Sequence, residues 1–129
     1  MAKQLLRRWR ERRRLWAWLA VAAMVAVAWG SLMPASELPQ TMPWDKASHF
    51  VGYGVVAGLI GLARVRPVGA FWIAVIFGIA IEGLQLAVPG RHGGDPFDVL
   101  ANTLGAGGAI LLLAAFDRLL APSAREQTG

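Results

Sequence analysis

Four stretches of this chain are apolar for long enough to cross a bilayer, and that feature decides most of what it can fold into. They run from Leu15 to Met33, Ala47 to Ala63, Val68 to Val88 and about Phe97 to Leu120. At 1.5 Å of rise per residue, a helix of about 20 residues crosses the roughly 30 Å of hydrocarbon. Lipid offers the backbone no hydrogen-bond partner, so such a run must be helical, and these runs are too continuous for barrel strands. With 56% hydrophobic and 16% charged residues among 129, the chain is too apolar for a small soluble domain. The expected fold is all-α, a polytopic membrane protein built as a compact bundle of four transmembrane helices. That domain covers residues 15–120, between a basic head at 1–14 and a short polar tail at 121–129. Pro, Gly and charge punctuate the runs at "PASELPQTMP", "RVRP" and "PGRHGGDP".

Charge gives the expected orientation. Seven of the thirteen Lys and Arg lie in "MAKQLLRRWRERRR", immediately before an apolar run. With the head in the cytoplasm, Arg64, Arg66, Arg118 and Arg125 fall on the same side, and the far side keeps Lys46 and Arg91. Both termini are then cytoplasmic. Trp16, Trp18 and Trp72 fall near the inner interface, and Trp29 and Trp44 near the outer one. The first run exceeds the 7–15 residues of a signal-peptide core and no clean A-x-A site follows it, so a retained helix is expected over a cleaved leader. The net charge of +5 is a topology signal with anionic membrane lipids as partner, and no nucleic-acid partner is expected. Cysteine is absent, which excludes disulfides and thiolate chemistry.

The costly polar groups gather at one depth. In "WDKASHFVGY" the i, i+4, i+8 spacing puts Asp45, His49 and Tyr53 on one helix face, with Lys46 beside them. Glu82 and Gln85 form an i, i+3 pair near the end of the next run, with Glu82 about 9 Å from that end by helical rise. Arg91 and His92 come from the following loop; Asp95 and Asp98 open the last run, and Asn102 stands one turn beyond Asp98. An isolated charge near the bilayer centre costs at least about 2.5 kcal/mol, so a shared, paired and hydrated pocket on the outer side is expected. Gly54, Gly58 and Gly61 make a small-residue stripe expected on the side of the second helix away from His49 and Tyr53. Gly105 and Ala109 continue the line of Asp98 and Asn102, which turns that line toward protein.

The chemistry of such a layer is open. A carboxylate beside His49 makes an acid–base pair, but Ser48 diverges from His49 on a helix and no G-x-S-x-G elbow exists. A His and several carboxylates could also hold a divalent cation, but the H-E-x-x-H spacing is missing and His92 lies in a Gly-rich loop, so no metal or cofactor is expected. Internal ion pairs among Lys46, Arg91, Glu82 and the aspartates are the structural explanation for the same residues. The functional readings are a pocket binding a lipid-linked or amphiphilic molecule, a membrane-embedded hydrolase or transferase using His49 and a carboxylate, and a small multidrug transporter. The binding reading has Lys46 and Arg91 meeting phosphate. Transport is weakened by the one-sided charge and by the position of Glu82 near a helix end.

Together "DKASHFVGY" and "EGLQLAVPGRHGGDPFDVLANTLG" carry a resemblance. The sequence resembles VanZ-like membrane proteins over about residues 15–120, in the DKxxHfxxY-type start of one helix, the Glu and Gln closing the next, and the D-x-x-x-N-x-x-G opening of the last. The resemblance implies a multi-pass protein of the bacterial cytoplasmic (inner) membrane. It also implies a link to the cell envelope and to resistance against the lipoglycopeptide teicoplanin, with which the founding member is associated.

Overall fold

The structure, a computed structural model, describes residues 2–37 and 45–121. Trp44 and the tail beyond residue 121 lie outside the described residues, as does the Asp45 side chain. Among the described residues every α-element is a helix and no strand occurs: α1 (Ala2–Arg10), α2 (Arg13–Leu32), α3 (Asp45–Leu62), α4 (Pro67–Gln85) and α5 (Pro96–Leu120), with one short 3-10 turn at Ala35–Glu37.

Helix starts follow local chemistry. Pro67 and Pro96 occupy first-turn positions, where a missing N–H costs nothing. Asp95 caps α5 by accepting a hydrogen bond from the Phe97 N–H at 2.8 Å. Three helices, α2, α4 and α5, are long and apolar enough to cross a membrane. The four runs expected from the sequence therefore become three such helices plus α3, which falls short. α3 has 18 residues and begins Asp45, Lys46, Ala47, Ser48, His49, so its first turns subtract what its last turns supply.

Packing compensates for that deficit. α3 touches α2, α4 and α5, and its most extensive contact is with α5. Val56, Ala57 and Ile60 of α3 meet Ala20 of α2, Ala70 and Ala74 of α4 and Ala106 of α5 in the main apolar core. Small residues there let backbones approach. Gly54 faces the Gly105 carbonyl, which would stand 3.2 Å from a Cβ at position 54. A Cβ on Gly105 would strike the Phe50 carbonyl oxygen and lie 2.8 Å from its carbon. Gly58 and Gly61 continue along α5 toward Ala109, Ile110 and Leu113. Gly54, Gly58 and Gly61 face α5, the same helix that brings Asn102 to His49.

The outside of the bundle is the apolar side. Trp18, Trp29, Ile76, Leu111 and Leu112 are exposed, whereas Glu82, Gln85, Asp98 and Asn102 are buried. Water would invert that arrangement; hydrocarbon around the helices explains it.

The basic head is more than a charge signal. It forms α1, whose Arg10 pairs with Asp117 through two 2.9 Å contacts and donates to the Leu62 carbonyl at 2.8 Å. Arg7 donates to the Leu120 carbonyl at 2.9 and 3.1 Å. The carbonyls left over at the C-terminal ends of α3 and α5 thus receive guanidinium donors, which also suit the negative end of each helix dipole. The polar cluster lies at the other end of the bundle.

Gly105→Ala should destabilise the detergent-extracted protein by about 1–3 kcal/mol, because its new methyl meets backbone that cannot rotate away. Gly108→Ala, where a Cβ meets nothing within 4 Å, should be neutral or stabilising by up to about 1 kcal/mol. Thermal melts of both variants check this; equal losses would mean that the α3–α5 approach is not limiting.

Candidate functional site

Three helices bring their polar residues to one place. His49 of α3, Glu82 of α4, and Asp98 and Asn102 of α5 are all buried, and Tyr53 is 1% exposed. His49 Nδ1 lies 3.0 Å from Asn102 Oδ1, its Nε2 lies 3.8 Å from Asp98 Oδ2, and Nδ1 is 4.0 Å from Glu82 Oε1. Tyr53 stacks parallel to the imidazole, ring centres 6.3 Å apart and planes within 3°. Its other neighbour is Phe77, at 5.8 Å.

The rim is ionic. Lys46, about half exposed, bridges Asp95 at 2.6 Å and also pairs with Asp98 Oδ1. The ammonium beside it, together with the Phe97 N–H, holds the Asp95 carboxyl below the usual carboxylate range. Glu82 is fixed differently: its Oε2 accepts the Gly94 N–H at 3.0 Å. Gly94 has φ +80, a left-handed conformation that a side chain would strain. Gly93 beside it has no room for a Cβ, which would meet the Glu82 carbonyl and stand 2.7 Å from Leu86 N.

Not every expected residue joins this cluster. Gln85 and Arg91 turn to the C-terminal end of α2 instead, both donating to the Ser31 carbonyl, Gln85 at 2.9 Å and Arg91 at 2.8 and 3.1 Å. They tie α4 and its following loop to α2. His92 is exposed in that loop. Lys46 and Arg91, expected to meet a ligand phosphate, are therefore already engaged, one by carboxylates and one by a backbone carbonyl. The Glu82–Arg91 type of internal pairing considered from the sequence is replaced by a backbone amide on Glu82.

Sequence reasoning missed Ser31, Gly78, Gly93 and Gly94. Gly78 leaves space for two members of the cluster, since a Cβ there would sit 3.0 Å from both Asn102 Nδ2 and Tyr53 Cε1. The doubled glycine before Asp95 was the available signal for the loop. Nothing in the local pattern marks Ser31, whose contribution is its backbone.

Three buried polar atoms find no hydrogen-bond partner among the described residues: Tyr53 OH, Glu82 Oε1 and Asn102 Nδ2. Each such atom costs about 1–3 kcal/mol if left so. All three belong to the cluster. Chemically the arrangement offers a carboxylate oxygen, an amide N–H and a phenol to an incoming group, with an imidazole between two carboxylates. One donor atom each from His49, Glu82 and Asp98 lies within 4.8 Å of the other two.

A helical bundle that is apolar outside and polar within, with buried ionisable groups converging near one end, defines the class as an integral membrane protein with an internal site. The VanZ/LLP1 family profile matches residues 4–117, and the chain belongs to that family. No curated protein and no solved structure gives a comparable match.

The Asp95 carboxyl titrates below its usual value of 3.8, so its contribution to stability is complete above that pH and is lost as pH falls beneath it. Lys46→Gln should remove this acid limb. Melting temperatures of wild type and variant, followed from neutral pH to below 3.8, should converge at the acid end; parallel curves would show that the rim pair does not act on stability.

Proposed function

We propose that this VanZ-family protein is a multi-pass protein of the bacterial inner membrane whose outer-facing polar cluster binds the headgroup of a lipid-linked or amphiphilic envelope molecule. One observation carries the reading: Tyr53 OH, Glu82 Oε1 and Asn102 Nδ2 are buried together without a hydrogen-bond partner among the described residues, inside helices whose outer faces are apolar. Lipid-facing helices give an acyl chain a place to lie, and the exposed rim at Lys46 and Asp95 gives a headgroup access from the water side. Lipoglycopeptides, toward which the family resemblance points, are one instance of this ligand class.

In this reading α3 completes the fourth crossing, shielded by its neighbours, and both termini face the cytoplasm. A periplasm-active reporter fused after Pro89 should be active, one after Arg64 inactive, and one at the C-terminus cytoplasmic. The reverse pattern would put the cluster on the wrong side for an envelope ligand.

Native mass spectrometry of the gently extracted chain should show a retained amphiphile. Asn102→Leu and Glu82→Leu should lower its occupancy by about tenfold, the loss of one or two buried hydrogen bonds. Ile76→Leu, on the exposed face of α4, should leave it unchanged. Equal retention in all four proteins would remove the cluster from ligand binding.

A second reading has one specific observation behind it. His49 stands between Asp98 and Glu82 with Asn102 on Nδ1, the arrangement of an oriented acid–base group. A membrane-embedded hydrolase or transferase would use His49 to activate water or an acceptor hydroxyl, since Ser48 is exposed. Retained ligand with abolished turnover in His49→Gln would favour catalysis; turnover surviving that change would exclude it.

A further inference from the structure

The cluster has a charge imbalance that hydrogen bonds do not resolve. Glu82 and Asp98 are both buried. Lys46 approaches through the rim and engages Asp98 Oδ1 and Asp95. Among the described residues no Lys or Arg pairs with Glu82, whose Oε2 is held by an amide and whose Oε1 has no donor. Two carboxylates therefore share one buried space with a single imidazole, an arrangement that favours a further positive charge.

The orientation of His49 sharpens the point. Asn102 Oδ1 can only accept, so the 3.0 Å contact makes Nδ1 the donor. In the neutral ring Nε2 then carries a lone pair, and it faces Asp98 Oδ2 at 3.8 Å. Two lone-pair atoms at that distance repel unless a cation sits between them. Adjacent ligands of a zinc-like ion with bonds of about 2.1 Å stand roughly 3.4 Å apart, so the observed spacing needs only a small contraction. Glu82 Oε1 stands 4.0 Å from Nδ1 of the same ring, and one donor atom from each of the three residues lies within 4.8 Å of the others, so a rotation of the Glu82 carboxylate toward the Nε2 side completes the set.

We propose that His49, Glu82 and Asp98 are the protein ligands of one divalent cation of the zinc or manganese class, bound where α3, α4 and α5 converge. The donor set is one imidazole nitrogen and two carboxylate oxygens, which suits these ions and not soft Cu(I). The outer contacts have the form that metal sites need: Asn102 fixes the imidazole through Nδ1, Gly94 fixes Glu82 through Oε2, and Lys46 orients Asp98 through Oδ1. Three protein ligands leave at least one coordination position for water or an oxygen of a headgroup. No short motif marks the site in the sequence, because the ligands come from three helices, 33 and 16 residues apart in the numbering.

This inference concerns the same cluster as the functional reading but does not depend on what molecule the cluster receives, and it is tested without one. The full chain, extracted in detergent, stripped with a chelator and dialysed, is titrated with Mn2+ and with Zn2+. Elemental analysis after removal of excess ion should give one equivalent per chain. The Mn2+ spin-resonance signal of free ion should fall by the same amount, and the melting temperature should rise by several degrees at about a hundredfold excess over Kd. Glu82→Gln and Asp98→Asn should each weaken binding by at least about tenfold, and Asn102→Ala, which removes only an orienting contact, by a smaller factor. His49→Gln serves as a second ligand variant if either carboxylate variant fails to fold. Less than 0.1 equivalent bound by the wild type at about millimolar ion, or equal binding by wild type and every folded ligand variant, would overturn the site. So would 15N resonances showing both His49 nitrogens protonated in the presence of the ion, since a proton would then occupy the position assigned to the metal. Cation binding without a retained amphiphile would sink the functional reading alone; an amphiphile retained by a chain that binds no cation would sink this one alone.

Discussion

The contacts His49 and Lys46 make with α5 depend on how closely the backbones of α3 and α5 approach. At Phe50 and Gly105 there is no room for a single methyl group, and that contact brings Asn102, one turn back along α5, within hydrogen-bond distance of His49. Move the helices apart by the width of a side chain and the imidazole loses its acceptor, while Asp98 withdraws from both Lys46 and the ring. Close approach between helices is what small residues supply in a membrane, where hydrophobic association is not available to hold helices together. Here the tight contact and the polar cluster lie next to each other on one pair of helices.

A second constraint follows from the surroundings. α3 begins with groups that hydrocarbon penalises, and it packs against α2, α4 and α5. α2 contributes little burial of its own: its Trp18, Val25 and Trp29 are exposed, while Ala20, Ala23, Met24 and Val27 face the core. It serves as a wall between α3 and lipid. α4 and α5 divide their faces the same way, with Ile76 and Ile79 or Leu111 and Leu112 outward and Glu82, Gln85, Asp98 and Asn102 inward. Division by polarity, more than by hydropathy alone, sets the rotation of each helix about its axis.

Much of this was legible in the sequence for identifiable reasons. Helical runs, their breaks and the depth of Glu82, Asp98 and Asn102 follow from rise per residue, and the shared face of His49 and Tyr53 follows from helical period. The family resemblance rested on those same residues, and the VanZ/LLP1 profile agrees with it. What the sequence could not supply was partner choice. Lys46 and Arg91 look alike as lone cations in apolar surroundings, yet one meets two aspartates and the other a carbonyl on α2, a distinction set by where α2 ends. A helical wheel describes one helix, and that α5 reaches both the glycine stripe and His49 belongs to two. The helix in the basic head escaped notice because its charge explained its presence well enough.

That head has a consequence in time as well as in space. A chain emerges from synthesis N-terminal end first, so α1 appears before α2 to α5. Its guanidinium partners appear late: the Leu62 carbonyl halfway along, Asp117 and the Leu120 carbonyl almost last. Until those elements are made, Arg7 and Arg10 cannot form these contacts, and the carbonyl and carboxylate partners come together only when α5 is in place. α1 therefore works as a latch made before α3 and α5 and closed only on their C-terminal ends, so that this end of the bundle becomes fastened only around a completed set of helices.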